Sequence, residues 1–123
     1  MAAERISEGE AVVMEVLWRE SPLTAAEVAE RVEPERAWSE RTVKTMLSRL
    51  VAKGALSFDE EGRRYLYRPA VSREDYVGGE SRRLVDRLFG GRAAPLVAQL
   101  AESGELTSDD IVEIEALLKE LRK

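Results

Sequence analysis

WSERTVKTMLSRLVAKG, residues Trp38 to Gly54, has a helical period and two unlike sides. Val43, Met46, Leu47 and Leu50 recur at i, i+3, i+4 and i+7, which lines them up as one apolar stripe. Arg41, Thr45 and Ser48 fall opposite, flanked by Thr42, Lys44 and Arg49. Ser39 is placed to cap the helix, because its hydroxyl can accept from a free backbone N–H of the first turn. Gly54 supplies the left-handed residue that closes many helices. Between Arg36 and Lys53 five cations stand against Glu40 alone, a local charge of +4 in a chain of net charge −5. A solvated helix face would explain such a charge as well as a binding surface would, so the flanking sequence has to decide.

Upstream, Ser7 and Glu10 form an S-x-x-E capping box ahead of a first helix, Glu8 to Arg19. Val12, Val13, Val16 and Leu17 are its expected inward face, with Trp18 closing one edge. Residues 1–6 read as a frayed tail. Ser21-Pro22 ends the helix, since proline cannot continue the hydrogen-bond ladder. Thr24 and Glu27 repeat the capping box, so a short second helix follows over Ala25 to Val32, with Val28, Ala29 and Val32 inward. Glu33-Pro34-Glu35 is a turn. Two short helices across a tight turn, the second cationic, give the helix-turn-helix pattern.

Downstream, the period changes from helix to strand. Ala55-Leu56-Ser57-Phe58 and Arg64-Tyr65-Leu66-Tyr67-Arg68 are β-like runs. Asp59-Glu60-Glu61-Gly62 is the expected loop between them. A hairpin directly after a recognition helix is the wing of a winged helix. Arg63, Arg64 and Arg68 lie on or beside it, either to reach a phosphate backbone or to protect a strand edge by charge. Ser72 then caps a long helix, with Tyr76, Leu84, Val85, Leu88 and Phe89 on its apolar side. Gly78-Gly79 within it marks a bend or the close approach of another backbone. Gly90-Gly91 ends it. Pro95 opens the next helix, where Leu96, Val97 and Leu100 share a face, and Gly104 closes it. Thr107 caps a last helix striped by Ile111, Ile114, Leu117, Leu118 and Leu121. The expected fold is therefore mostly α with a small β-hairpin: a winged helix-turn-helix domain over 1–71 and a helical dimerisation domain over 72–123. Fewer than roughly 60 residues rarely bury enough surface to stand alone, so the arm needs a partner or packs back. A dimer is favoured, through Leu84, Leu88, Phe89, Leu96, Leu100, Ile111, Ile114 and Leu118.

Composition narrows the function further. The 123 residues are 44% hydrophobic and 35% charged, ordinary for a globular protein. With net charge −5, any contact with nucleic acid must come from a local patch, because the overall field is repulsive. Cysteine and histidine are both absent. That removes disulfides, thiolate metal sites, the usual general base and the commonest nitrogen ligand. No metal and no cofactor are expected. No apolar run approaches the roughly 18 residues of a membrane span, and MAAERISEGE lacks a signal-peptide core, so a cytoplasmic protein with no membrane contact is expected. An enzyme is not expected, since no nucleophile elbow, phosphate loop or carboxylate cluster is present.

W-S-x-R-T-V-x-T-M-L-x-R-L-x-x-K-G, together with AVVMEVLW at residues 11–18, the Glu61-Gly62-Arg63 turn with Tyr65 and Tyr67, and LTSDDI at 106–111, resembles the penicillinase-repressor family of bacterial winged-helix regulators, which includes BlaI, MecI and a copper-responsive CopY branch. The resemblance runs from Ile6 to about Leu121. It implies a dimeric repressor on a palindromic promoter operator in double-stranded DNA. The helix from Ser39 to Lys53 would enter the major groove, with Arg41, Thr42, Lys44, Thr45 and Arg49 at the operator and the wing on flanking backbone. The DNA-binding set is Ser39, Arg41, Thr42, Lys44, Thr45, Ser48, Arg49, Arg63 and Arg64. Two departures stand out. The copper-responsive branch carries a cysteine-rich tail, which this chain lacks. The β-lactamase branch is cleaved at an Asn–Phe bond in the arm, where Gln99-Leu100 lies here, which argues against that cleavage and against a β-lactam signal. A regulatory protease thus stays only an uncertain partner. A winged-helix protein–protein module and a small-molecule-responsive regulator of the MarR type are the alternative readings.

Overall fold

The computed structural model describes residues 5–32 and 36–123. Its elements, in order, are α1 (Glu8–Arg19), α2 (Ala25–Arg31), α3 (Glu40–Ala52), β1 (Leu56–Glu61), β2 (Arg64–Pro69), α4 (Arg73–Phe89), α5 (Ala93–Glu102) and α6 (Ser108–Leu121). The expected turn at Glu33-Pro34-Glu35 lies outside the described residues, as does most of the expected tail. Two compact units divide within α4, Met1–Gly79 and Glu80–Lys123.

Local capping chemistry starts the helices. Ser7 and Glu10, Thr24 and Glu27, and Thr107 and Asp110 each form a reciprocal capping box, which satisfies two otherwise orphaned backbone donors per helix. Ser39 caps α3 alone: its hydroxyl accepts from the Thr42 amide at 3.1 Å. At the other end of α3, Gly54 takes φ of 80°, where a side chain would be strained.

In the first unit, Val13, Met14, Val16 and Leu17 of α1, Val28 of α2 and Val43, Leu47 and Leu50 of α3 bury against one another, and Leu56 and Tyr67 of the hairpin close the core. Three sequence expectations are corrected here. Ile6 belongs to the core and not to a frayed tail. Met14 is fully buried, whereas Val12 only packs at the margin. Val32 caps α2 instead of extending it, yet still turns inward.

The hairpin is longer and its turn tighter than the sequence indicates. Asp59, Glu60 and Glu61 are strand residues, paired with Leu66, Tyr65 and Arg64. The loop is only Gly62-Arg63, with Gly62 at φ 65°. A two-residue hairpin turn with glycine first matches the right-handed twist of the strands, which a longer acidic loop would not need. Leu23 also joins the sheet: its amide and carbonyl exchange hydrogen bonds with Tyr67 at 3.1 and 2.8 Å. This bridge ties the α1–α2 connection to the wing.

The first two turns of α4 belong to the first unit. Arg73 pairs with Glu15 at 2.8 Å, and the Tyr76 ring lies 5.3 Å from that of Trp18. The Trp18 indole N–H donates to the Val71 carbonyl at 2.9 Å. Trp18→Phe keeps the ring and loses the donor, so it should cost about 1 kcal/mol in a denaturant titration. An unchanged midpoint would mean that water replaces this bond without loss. Around Gly78-Gly79 no other described part of this chain comes close. The helix runs unbroken from Arg73 to Phe89, and a methyl group on either glycine would meet nothing within 4 Å.

In the second unit no residue from Glu80 to Lys123 is buried. Leu88, Ile111, Val112, Leu117, Leu118 and Leu121 are all exposed, up to 81% for Leu121. Leu84, Phe89, Leu96 and Ile114 are half-buried, and Leu100 is at the exposed margin.

Candidate nucleic-acid interface

The buried stripe of α3 fixes where its other residues point. With Val43, Leu47 and Leu50 at 0% exposure, the helix can rotate little, and Ser39, Arg41, Lys44, Thr45, Ser48 and Arg49 stand in solvent. Thr42 is half-buried at the edge. Met46, at the stripe's other edge, packs with Trp38 beside Gly9 of α1, and Arg36 lies 5.5 Å over the Trp38 ring. Trp38 therefore holds the start of the helix against the core, which sets its angle.

The hydroxyls on this face are partly committed. Ser39 donates to Thr42 at 3.1 Å, and Thr45 donates to the Arg41 carbonyl at 3.1 Å. Thr42 keeps its own proton and Thr45 its lone pairs for an outside partner. Among the described residues, Arg41, Arg49 and Arg63 enter no ion pair. Lys44, Arg64 and Arg68 do: Lys44 meets Glu40 at 3.2 Å, Arg64 meets Glu61 at 2.7 Å, and Arg68 meets Asp59 at 2.6 Å. All three pairs are exposed, where such pairs are worth little and exchange readily for a stronger anion.

Between α3 and the wing runs an open cleft of about 560 Å³. Glu40, Lys44 and Ser48 form one wall, Arg63, Arg64 and Tyr65 the other, with Tyr67 and the start of α2 behind. Burial pushes the Tyr67 phenol above its ordinary 10.0, so it stays a neutral donor. The structure thus brings Lys44, Ser48, Arg63 and Arg64 together around one opening. Ser39, Arg41, Thr42, Thr45 and Arg49 do not line it, though they share the helix. Sequence reading missed Glu40, Tyr65 and Tyr67 as residues lining this cleft. The i, i+4, i+8 spacing of Glu40, Lys44 and Ser48 was the available signal. Among the described residues no cluster of three or more carboxylates that could hold a metal is found.

A cationic, hydroxyl-bearing helix followed by a wing is common to many regulators, so the whole chain has to be compared with known proteins. The family model described as penicillinase repressor matches residues 6–120. The chain belongs to the penicillinase-repressor family. One member, the penicillinase repressor of Bacillus licheniformis, is 34% identical over 116 residues, covering 94% of this chain and 91% of that one. The solution structure of the DNA-binding domain of the repressor BlaI superposes with a TM-score of 0.54 at 39% identity, over 61% of this chain and 92% of that one. The Bacillus licheniformis BlaI monomeric form, solved with the blaP half-operator, gives 0.52 and 39% over the same shares. Both structural likenesses cover part of the chain only, whereas the family match extends through α6.

Proposed function

We propose that this family member is a cytoplasmic transcriptional repressor that binds a pseudo-palindromic promoter operator as a homodimer. In this reading the wing domain (residues 1–71) reads DNA and the helices from residue 72 onward join two copies. The observation that carries it is the outward side of α3, where Arg41 and Arg49 enter no ion pair among the described residues and stand beside Lys44, Thr45 and Ser48, while Val43, Leu47 and Leu50 lock the helix in place. An α-helix fits the major groove, and free guanidinium groups neutralise phosphate or bind guanine O6 and N7. The BlaI relative solved with a half-operator supports operator binding by the domain that the two chains share.

Ser39 and Thr42 sit at the helix start, where base edges come within reach. Arg63 at the wing tip and Arg64 beside it extend the cationic track toward the flanking backbone. Two copies would place their α3 helices about 34–36 Å apart, in successive major grooves. A dimer lying across a promoter excludes polymerase. The exposed leucines and isoleucines of α4, α5 and α6 support pairing through the arm, because contiguous apolar surface on a soluble chain marks an interface.

Arg41→Ala or Lys44→Ala should weaken binding to the protein's own promoter DNA about tenfold, with unchanged thermal unfolding. Each should also flatten the dependence of log K on log salt by about one unit if the side chain touches phosphate. Gel-shift affinities unchanged in both variants would overturn the assignment of α3. A salt-independent wild-type affinity would point instead to a protein partner.

A further inference from the structure

Glu40 is the only acid within the cationic stretch from Arg36 to Lys53. It opens α3, and its side chain is 49% exposed on the wall of the cleft that faces the wing. Near a phosphate backbone a carboxylate there is repelled, and it subtracts from the charge that Arg41, Lys44 and Arg49 supply. Two local roles exist for it. It sits at the positive end of the α3 dipole, and it meets Lys44 Nζ at 3.2 Å one turn on. Both are weak at such exposure. Lys44 itself has a stronger partner available once an operator arrives, either phosphate or the guanine edge. When Lys44 turns to it, Glu40 is left as an acceptor without a donor.

The major groove holds one base edge that fits this residue. Guanine offers acceptors at O6 and N7, thymine an acceptor at O4, and adenine an acceptor beside its amino group. Cytosine alone presents an amino donor, N4, with no acceptor on the base's own groove edge. We infer that Glu40 is a specificity-determining residue, accepting a hydrogen bond from cytosine N4 at one position of each operator half-site. Its repulsion by phosphate then acts against every sequence lacking that cytosine. It lowers non-specific binding while the matching site recovers the loss. This inference rests on the reading of α3 as the operator-reading helix.

The test is a selection from a pool of duplexes with a fully randomised core, run with the full chain and with Glu40→Gln and Glu40→Ala. Thermal unfolding of each variant checks the fold. Wild type should recover an inverted repeat with a cytosine at one fixed position of each half. Glutamine binds adenine through N6 and N7, so Glu40→Gln should move that position to adenine, while Glu40→Ala should leave it free. Replacing the cytosine pair in the recovered duplex should weaken wild type about 5- to 150-fold and leave Glu40→Ala nearly unaffected. A cytosine retained by both variants, or no cytosine constraint in the wild-type pool, overturns the role of Glu40 and leaves the repressor reading standing. No enrichment of any sequence by wild type overturns both.

Discussion

A chain ending at Gly79 is expected to sediment as a folded monomer and to bind a full operator about 10²- to 10⁴-fold more weakly than the intact protein. The cut leaves the core of the first unit whole, because Arg73 and Tyr76, which reach back to Glu15 and Trp18, are retained. It removes α5, α6 and most of α4, none of which contains a buried residue. Those segments contribute little to any core of the single chain, so the loss should appear in assembly and not in the fold of the wing domain. The fold-change is what two linked half-sites gain over one, since the second contact becomes intramolecular. A truncated chain that still sediments as a dimer would show that the pairing surface lies elsewhere. A cut at residue 72 is the less informative variant, because it also takes away the two contacts with α1.

The second large effect concerns stability. Glu10, whose side chain is 3% exposed, accepts from Lys53 Nζ at 2.6 Å and from the Ser7 amide at 2.9 Å. Lys53 Nζ also donates to the Arg5 carbonyl at 2.9 Å, which ties the entry of the chain to the end of α3. Removing one partner of a buried pair leaves an uncompensated charge, at a cost of about 3–5 kcal/mol when burial is complete. Lys53 is 21% exposed and Glu10 keeps its amide donor, so Lys53→Met should cost about 2 kcal/mol. For a unit of this size that is roughly 8–16 °C in Tm. Glu10→Gln added to Lys53→Met should recover most of the loss, because glutamine retains the cap without the charge. A double variant no more stable than Lys53→Met would show that the loss came from packing of the lysine stem.

The same pair sets a pH dependence. Burial alone raises the Glu10 carboxyl, but the hydrogen bond from Lys53, the Ser7 amide and the lysine charge together bring it below 4.5. A carboxyl lowered in the folded state adds stability above its unfolded value, and that stability is lost as pH falls through the folded value. The gap in stability between wild type and Lys53→Met should therefore be constant near neutrality and narrow below pH 4.5. A gap that widens in acid would reverse the assigned sign.

Much of the fold was legible because helix signals are local. Ser7 with Glu10, Thr24 with Glu27, and Ser39 announce helices that the chain then forms, since a cap and its target amide lie three residues apart. The outward side of α3 was legible for a related reason: once Val43, Leu47 and Leu50 are buried, the 3.6-residue period dictates what faces out. The wing was legible only in outline. Asp59, Glu60 and Glu61 have low strand propensity and read as loop, yet their cross-strand partners Leu66, Tyr65 and Arg64 draw them into the ladder.

Arg64 and Arg68 looked as available as Arg41 in one dimension. In three, the hairpin register sets Glu61 and Asp59 beside them, which leaves Arg63 as the cation of the wing with no ion pair among the described residues. Sequence alone therefore determined the order of elements, the caps and the exposed side of α3, because each depends on residues within a turn or two of one another. Tertiary structure alone decided that Lys53 answers Glu10, that Leu23 joins the wing at Tyr67, and that Glu40 shares a cleft with Arg63 and Arg64. Those pairings join residues far apart along the chain, and a helical or strand period carries no information about which distant element will pack against it.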